Sequence, residues 1–411
     1  MATALLFIAS GCAGPSGSNA HGDDDSDTET DDSEGAPEAR GDAGPGHVRE
    51  REQRGAVTGG LRALSDRLEG AAHDTRSSAL DERAAIRERA MDPGAPLPDP
   101  VRENLASIES DPPPEALTLD SHYWVSNEDH HHMFRETIDS HGGIYLGVGT
   151  DQNYLMAAWA ESPILLLMDF DEQIRNLHHV YGVVLSRVDS PDAFVAQWSP
   201  RGEDEVRDWL RDEYDDEARQ AQLLRTFSIA RATVFHRLRQ IAEDYRERGI
   251  PTFVTDQEQY DFIRGLWDAG RVFPIRGDLT GDATMVDIAQ TLEDLGLRLG
   301  LVYTSNAEQY FSFSPAYRRN ISVQPFAQDG LILRTRPMER LGYPDEDDYH
   351  YNIQDAWNFA AWLEQSDVPN AGALLVHHRE PSDRRGLSFV RKDPVVADTP
   401  PEIAGEGEAA R

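Results

Sequence analysis

The sequence predicts an α/β fold on a doubly wound, mostly parallel sheet, with a helical insertion and disordered N- and C-terminal segments. Three observations carry that expectation. Continuous apolar runs of strand length, such as Ile164 to Met168, suit strands covered on both faces. Segments with apolar residues at threes and fours alternate with them, the pattern of right-handed crossovers between parallel strands. Polar clusters close four of the runs, and ligands sit beyond those ends in open α/β sheets.

Residues 1–12 form a short apolar run closing on small residues and on Cys12, the only cysteine of the chain. The run is too short to span a bilayer as a helix, and it matches the apolar core and small-residue end of an export signal. Residues 13–55 crowd Asp23, Asp24, Asp25, Asp27, Glu29, Asp31, Asp32 and Glu34 together. With so little apolar surface to offset ordering entropy, a disordered acidic tether is expected there. Leu61, Leu64, Leu68 and Ile86 give residues 56–92 a marginal helical spacing, and Pro93, Pro96, Pro98 and Pro100 extend this stretch to 114 as a linker. The folded domain is expected over residues 115–380. The polar tail, 381–411, with Pro394, Pro400 and Pro401, is expected to be loose.

Within the domain, Gly143 to Thr150 reads as a strand closing on glycines, followed by a helix to about Ala160. Ile164 to Met168 is the second strand, ending in Asp169-Phe170-Asp171, and a helix follows to Tyr181. Residues 190–250 recur apolar at threes and fours (Leu223, Phe227, Ala230, Val234, Leu238, Ile241) and read as helices inserted between the second and third strands. Arg271 to Ile275 is the third strand, ending in Arg276-Gly277-Asp278. Leu299 to Tyr303 is the fourth, ending in Thr304-Ser305-Asn306. Ile321–Phe326 and Leu331–Leu333 are short strand candidates, and Ala373–Val376 reads as a last strand after a helix around Asp355 to Leu363.

A nucleoside ligand needs a turn that lets backbone approach closely and an acid for two ribose hydroxyls. Gly147 and Gly149 suit the first need. Asp169, twenty residues past Gly149 at a strand end, suits the second. Asp169-Phe170-Asp171 also matches an Asp-x-Asp metal and sugar-nucleotide motif, but Asp171 precedes a helix, and capping its free amides is the favoured role. His130, His131 and His132 lack the spacing of a helical zinc site, and no metal is expected. The chain has no Gly-x-Ser-x-Gly elbow, no phosphate loop and no cysteine outside the export signal. Lys and Arg number 39 against 74 Asp and Glu, a formal charge of −35. That excess argues against nucleic acid and anionic membrane surfaces as partners.

The series Ile144 to Gly149, Leu167 to Asp171, Ile275 to Asp278 and Leu301 to Asn306 resembles the successive strand-end motifs of class I S-adenosylmethionine-dependent methyltransferases. The resemblance implies S-adenosylmethionine as cofactor. Gly147 and Gly149 would face it, Asp169 would hold its ribose, and Asp278 would lie beside adenine. Asp151, where the family commonly has a third glycine, would stand by the same turn. Tyr303, Ser305 and Asn306 would face the methyl acceptor. The Asn-Pro-Pro-aromatic signature of amino-methylating members is absent. Ala9-Ser10-Gly11-Cys12 resembles the lipobox of bacterial lipoproteins, which implies a lipid on Cys12 and an exported, envelope-anchored protein. A methyltransferase fold that binds without transferring is the alternative function.

Overall fold

A computed structural model describes residues 81–394. The expected export signal with Cys12, the tether of residues 13–55 and most of the 56–92 helix lie outside the described residues. So does the tail beyond 394.

The first four strands are β1 (Ile144–Val148), β2 (Leu165–Asp169), β3 (Val272–Arg276) and β4 (Leu299–Tyr303). After them come β5 (Phe326–Arg336), β6 (His350–Asp355), β7 (Glu380–Pro381) and β8 (Leu387–Val390). They form one sheet of eight strands in the order β3-β2-β1-β4-β5-β6-β8-β7. Five of its pairings are parallel, and β5–β6 and β7–β8 are antiparallel. Successive strand residues point to opposite faces, so each apolar run feeds two cores. Tyr145, Leu165, Leu167, Leu301 and Tyr303 belong to one; Ile144, Leu146, Leu166, Met168 and Val302 belong to the other.

On the first core lie α3 (His132–Ile138), α4 (Gln152–Trp159), α5 (Glu172–Arg187) and α9 (Gln257–Asp268). Three helices occupy 190–250 and bury their apolar stripes there too: α6 (Pro191–Gln197), α7 (Glu203–Glu213) and α8 (Glu217–Arg248). Their starts are written locally. Ser190 caps α6 through Ala193 N ahead of Pro191, and Asp216 caps α8 through Arg219 N. Gly249, at φ +64°, ends α8 in the left-handed conformation.

The second core is covered by α1 (residues 81–90), α2 (Asp99–Ala106), α10 (Thr284–Leu295), α11 (Pro315–Ser322), α12 (Ala356–Leu363) and α13 (Ala371–His378). Residues 93–114 are therefore part of the fold and not a linker. Leu97, Val101 and Leu105 are buried. The side chain of Arg271, fully buried, donates to the carbonyls of Ala90, Asp92 and Ala95. Prolines signalled a break, but Pro98 immediately precedes α2 and Pro100 lies in its first turn, where no helical N–H is lost.

Three further expectations change. Ile321 lies in the last turn of α11, and the two strand candidates there resolve into that helix and the single long strand β5. Ala373–Val376 lies inside α13, because Asn370 accepts from Ala373 N and caps a helix. A short apolar run has no period of its own to tell strand from helix. Residues 381–390 are not a loose tail, since β7 and β8 complete the sheet. The strand next to β8, β6, reads as polar because its buried polar groups are satisfied by neighbours: Asn352 donates to Ser388 O, and His350 bonds Ser388 Oγ.

Candidate functional site

Strand order reverses between β1 and β4, the topological switch point. Beyond the carboxyl ends of β1 to β4 lies a crevice of two joined lobes that share Thr118, Val148, Phe170, Ala307 and Tyr310. The larger lobe, about 280 Å³, is walled by Val148, Met168, Phe170, Asp278, Leu279 and Phe311. The smaller, about 80 Å³, is walled by Glu128, Gly149, Gln152, Asp169, Ser305 and Asn306.

The glycine turn serves its own helix. Gly149 has φ +94°, and a Cβ there would fall 2.3 Å from Gln152 Nε2. A Cβ on Gly147 would fall 2.1 Å from Asn153 Oδ1. Gln152 and Asn153 both donate to Val148 O, Thr150 N donates to Gln152 Oε1, and Tyr145 OH donates to Asn153 Oδ1. Space that would admit a ligand is thus filled by two pinned amides. His178 supports the turn from behind. Burial lowers its pKa to about 4, so the neutral ring accepts from Tyr154 OH at Nδ1 and donates from Nε2 to Gly149 O.

Asp151 and Gly147 are not among the residues that wall the crevice. The Asp151 carboxylate, fully buried, turns to α8, where Arg237 Nε donates to it at 3.1 Å. Ser126 N and Thr150 Oγ1 donate as well. Arg237 also donates to Glu128 O at 2.6 Å and pairs with Asp129. The expectation that Asp151 stands beside a cofactor is corrected: without the third glycine, the side chain becomes a buried tie to the inserted helices.

Asp169 does face the crevice. Its Oδ1 accepts from Asp171 N, the Phe170 backbone adds a second hydrogen bond to the carboxylate, and among the described residues no side-chain donor reaches it. Burial pushes its pKa up to about 7, with the charges of Asp171 and Asp278 adding to the effect. Asp171 caps α5 through Gln173 N and receives His122 Nδ1 at 2.6 Å. Asp278 walls the larger lobe, its Oδ1 accepting from Thr280 N and Oγ1. Asp111, in the stretch read as linker, holds this loop by accepting from Asp278 N and Ala283 N.

Of the three expected acceptor-side residues, Ser305 and Asn306 wall the smaller lobe, while Tyr303 is buried behind it with its OH on His131 Nε2. Ser305 adopts φ +52° and donates to Glu128 Oε1 at 2.7 Å. Sequence reasoning missed Glu128, in an irregular segment with no periodicity to mark it. Its carboxylate is fully buried; Thr335 Oγ1 donates to Oε1, Ser126 Oγ donates to Oε2, and His131 Nε2 stands 3.5 Å from Oε2. Burial opposes its charge, but His131, Ser126 and Thr335 together outweigh that and hold the pKa at about 2. His130 pairs with Asp347 at 3.0 Å, away from the crevice. Among the described residues, no three His, Cys, Asp or Glu side chains converge as metal ligands.

A family model described as a domain of unknown function (DUF7790) matches residues 123–391. The chain belongs to the DUF7790 family. No curated protein matches it. The DUF7790 region contains Glu128, Asp169, Arg237 and Asp278, whereas Asp111, Pro114, Ala116 and Thr118, which support or wall the same crevice, precede it.

Proposed function

We propose that this DUF7790 protein is a methyltransferase-like binder of a nucleoside, with S-adenosylmethionine or its demethylated product as the ligand. Ribose hydroxyls donate to Asp169, and the base enters the larger lobe between Val148, Phe170 and Leu279. One observation carries the reading: a strand-end carboxylate with no side-chain donor opens on a crevice with an apolar lobe at the switch point. The strand order β3-β2-β1-β4-β5, shared by dinucleotide-binding sheets, supports a Rossmann-type methyltransferase fold.

The residues fit the nucleoside half of S-adenosylmethionine better than its methionyl half, because Gln152 and Asn153 fill the glycine turn. S-adenosylmethionine supplies an activated methyl group when bound. Glu128, held at about 2, is too weak a base to assist an acceptor at neutral pH. These two observations favour binding without methyl transfer as the second reading. So does the envelope location inferred from the Ala9–Cys12 pattern, since S-adenosylmethionine is made inside cells. Among the described residues no helix is long and apolar enough to cross a membrane. The anchor in this reading is the lipid on Cys12. Radioactive palmitate should label the full chain and fail to label Cys12→Ala; equal labelling of both would refute the anchor.

Calorimetry of the full chain with S-adenosylmethionine and S-adenosylhomocysteine tests the nucleoside reading. Asp169→Ala should weaken binding by roughly ten- to a hundredfold, the worth of hydrogen bonds to a charged group. Hydroxyl donors favour the ionised carboxylate, so binding should be strongest above pH 7 and weaken as pH falls through about 7. No heat from folded protein, or equal binding by the variant, would defeat the reading. Release of labelled methyl to water or an added acceptor would overturn the second reading alone.

A further inference from the structure

We propose that the pocket between the end of β5 and the first turn of α13 binds a phosphate group carried by a small molecule. It measures about 480 Å³, and its charged lining is Glu308, Arg336 and Arg340, with His377 beside them. Tyr310 and Phe311 wall both this pocket and the nucleoside crevice, so the two are neighbours, but the proposal does not rest on the nucleoside reading.

Arg336, the last residue of β5, is 8% exposed, and its Nε and Nη1 have no hydrogen-bond partner among the described residues. It makes no salt bridge there either. The nearby carboxylate of Glu308 is paired with Arg334, whose Nε stands 2.9 Å from its Oε2 without hydrogen-bond geometry, and Tyr317 OH donates to its Oε1. Arg334 Nη1 also donates to Gln354 Oε1 at 2.6 Å, and the Phe359 ring lies 4.2 Å from its guanidinium carbon, while its Nε and Nη2 make no hydrogen bond among the described residues. Two buried guanidinium groups therefore share one carboxylate, which leaves one positive charge without a counter-ion. A lone buried charge is costly. In a chain of net charge −35, a cationic pocket kept at that cost implies an anion that fills it. Burial lowers the pKa of Arg336, Glu308 opposes this, and Arg334 adds to the lowering.

The helix completes the cradle. Asn370 Oδ1 takes Ala373 N, which leaves the N–H groups of Ala371 and Gly372 without an acceptor among the described residues. A Cβ on Gly372 would stand 3.4 Å from Arg336 Nη2, so the guanidinium lies against this turn. A carboxylate would spend both oxygens on the guanidinium fork and leave the helix amides open. The tetrahedral oxygens of a phosphate serve both, and the helix dipole adds to the attraction.

The test is thermal unfolding and calorimetry of the full chain titrated with inorganic phosphate, and separately with acetate, at constant ionic strength. Phosphate should raise the melting temperature saturably, and Arg336→Met should weaken its binding by about ten- to a hundredfold. Without phosphate the Met variant should melt no lower than the parent, because it removes an uncompensated charge. Arg336→Lys, which keeps the charge and loses the fork, should fold and bind less tightly than the parent. An absent or non-saturating phosphate effect, an equal effect in Arg336→Met, or a response to acetate alone would overturn the proposal.

Discussion

Arg237→Met is expected to destabilise the fold by about 3–5 kcal/mol, the cost of leaving a buried charge unpaired. The methionine stem would fill most of the arginine's volume, so the loss is not chiefly one of packing. What changes is the fate of Asp151, fully buried, whose Oδ2 would face α8 with no cation. Glu128 O would lose its donor as well, and the segment that roofs the crevice would loosen from the inserted helices. Urea unfolding of the single variant, of Asp151→Asn and of the double variant measures the coupling. The double variant should recover much of the loss, because removing both charges leaves no buried ion. A loss under about 1 kcal/mol for Arg237→Met would mean that the pair is surface-like in strength.

Glu128→Ala should cost a comparable amount, about 3–5 kcal/mol, for the opposite reason. Here one acceptor is removed from around four donor side chains, and Ser126, Ser305, Thr335 and His131 are left facing a void. The wild-type carboxylate also sets an acid limit. Its folded pKa, about 2, lies below the ordinary value of 4.5, so it stabilises the fold above that value. That contribution should be lost as pH falls from about 4.5 to about 2. Acid titration of stability should therefore show a steeper fall in the parent than in Glu128→Ala across that window. Parallel curves would show that Glu128 is not the group responsible.

The central strands were legible because each is a short apolar run bounded by turn residues, and both faces of β1, β2 and β4 are buried. Asp169 was legible for the same reason: a charge that directly ends such a run has only the crevice to face. Asp151 follows a strand end in much the same way, yet it folds inward to Arg237, eighty-six residues away in sequence. No local pattern carries that partner. Glu128 and Asp111 were missed alike, since the partners of each come from distant parts of the chain. Residues 93–114 looked like a linker because prolines break local structure without showing what the broken pieces pack against.

By itself the sequence determined the α/β class, the alternation of the first four strands with helices, and the polar character of the strand ends. Periodicity and turn chemistry act over a few residues, and that is the range over which sequence can be read directly. Tertiary structure alone decided which polar groups face open space and which are consumed by a neighbour. It filled the glycine turn with Gln152 and Asn153, committed Asp151 and Glu128 to internal partners, and left Asp169 facing the crevice and Arg336 Nε and Nη1 without partners among the described residues. The reason is that a buried charge is governed by the number of donors and acceptors around it, and folding brings that set together from distant parts of the chain.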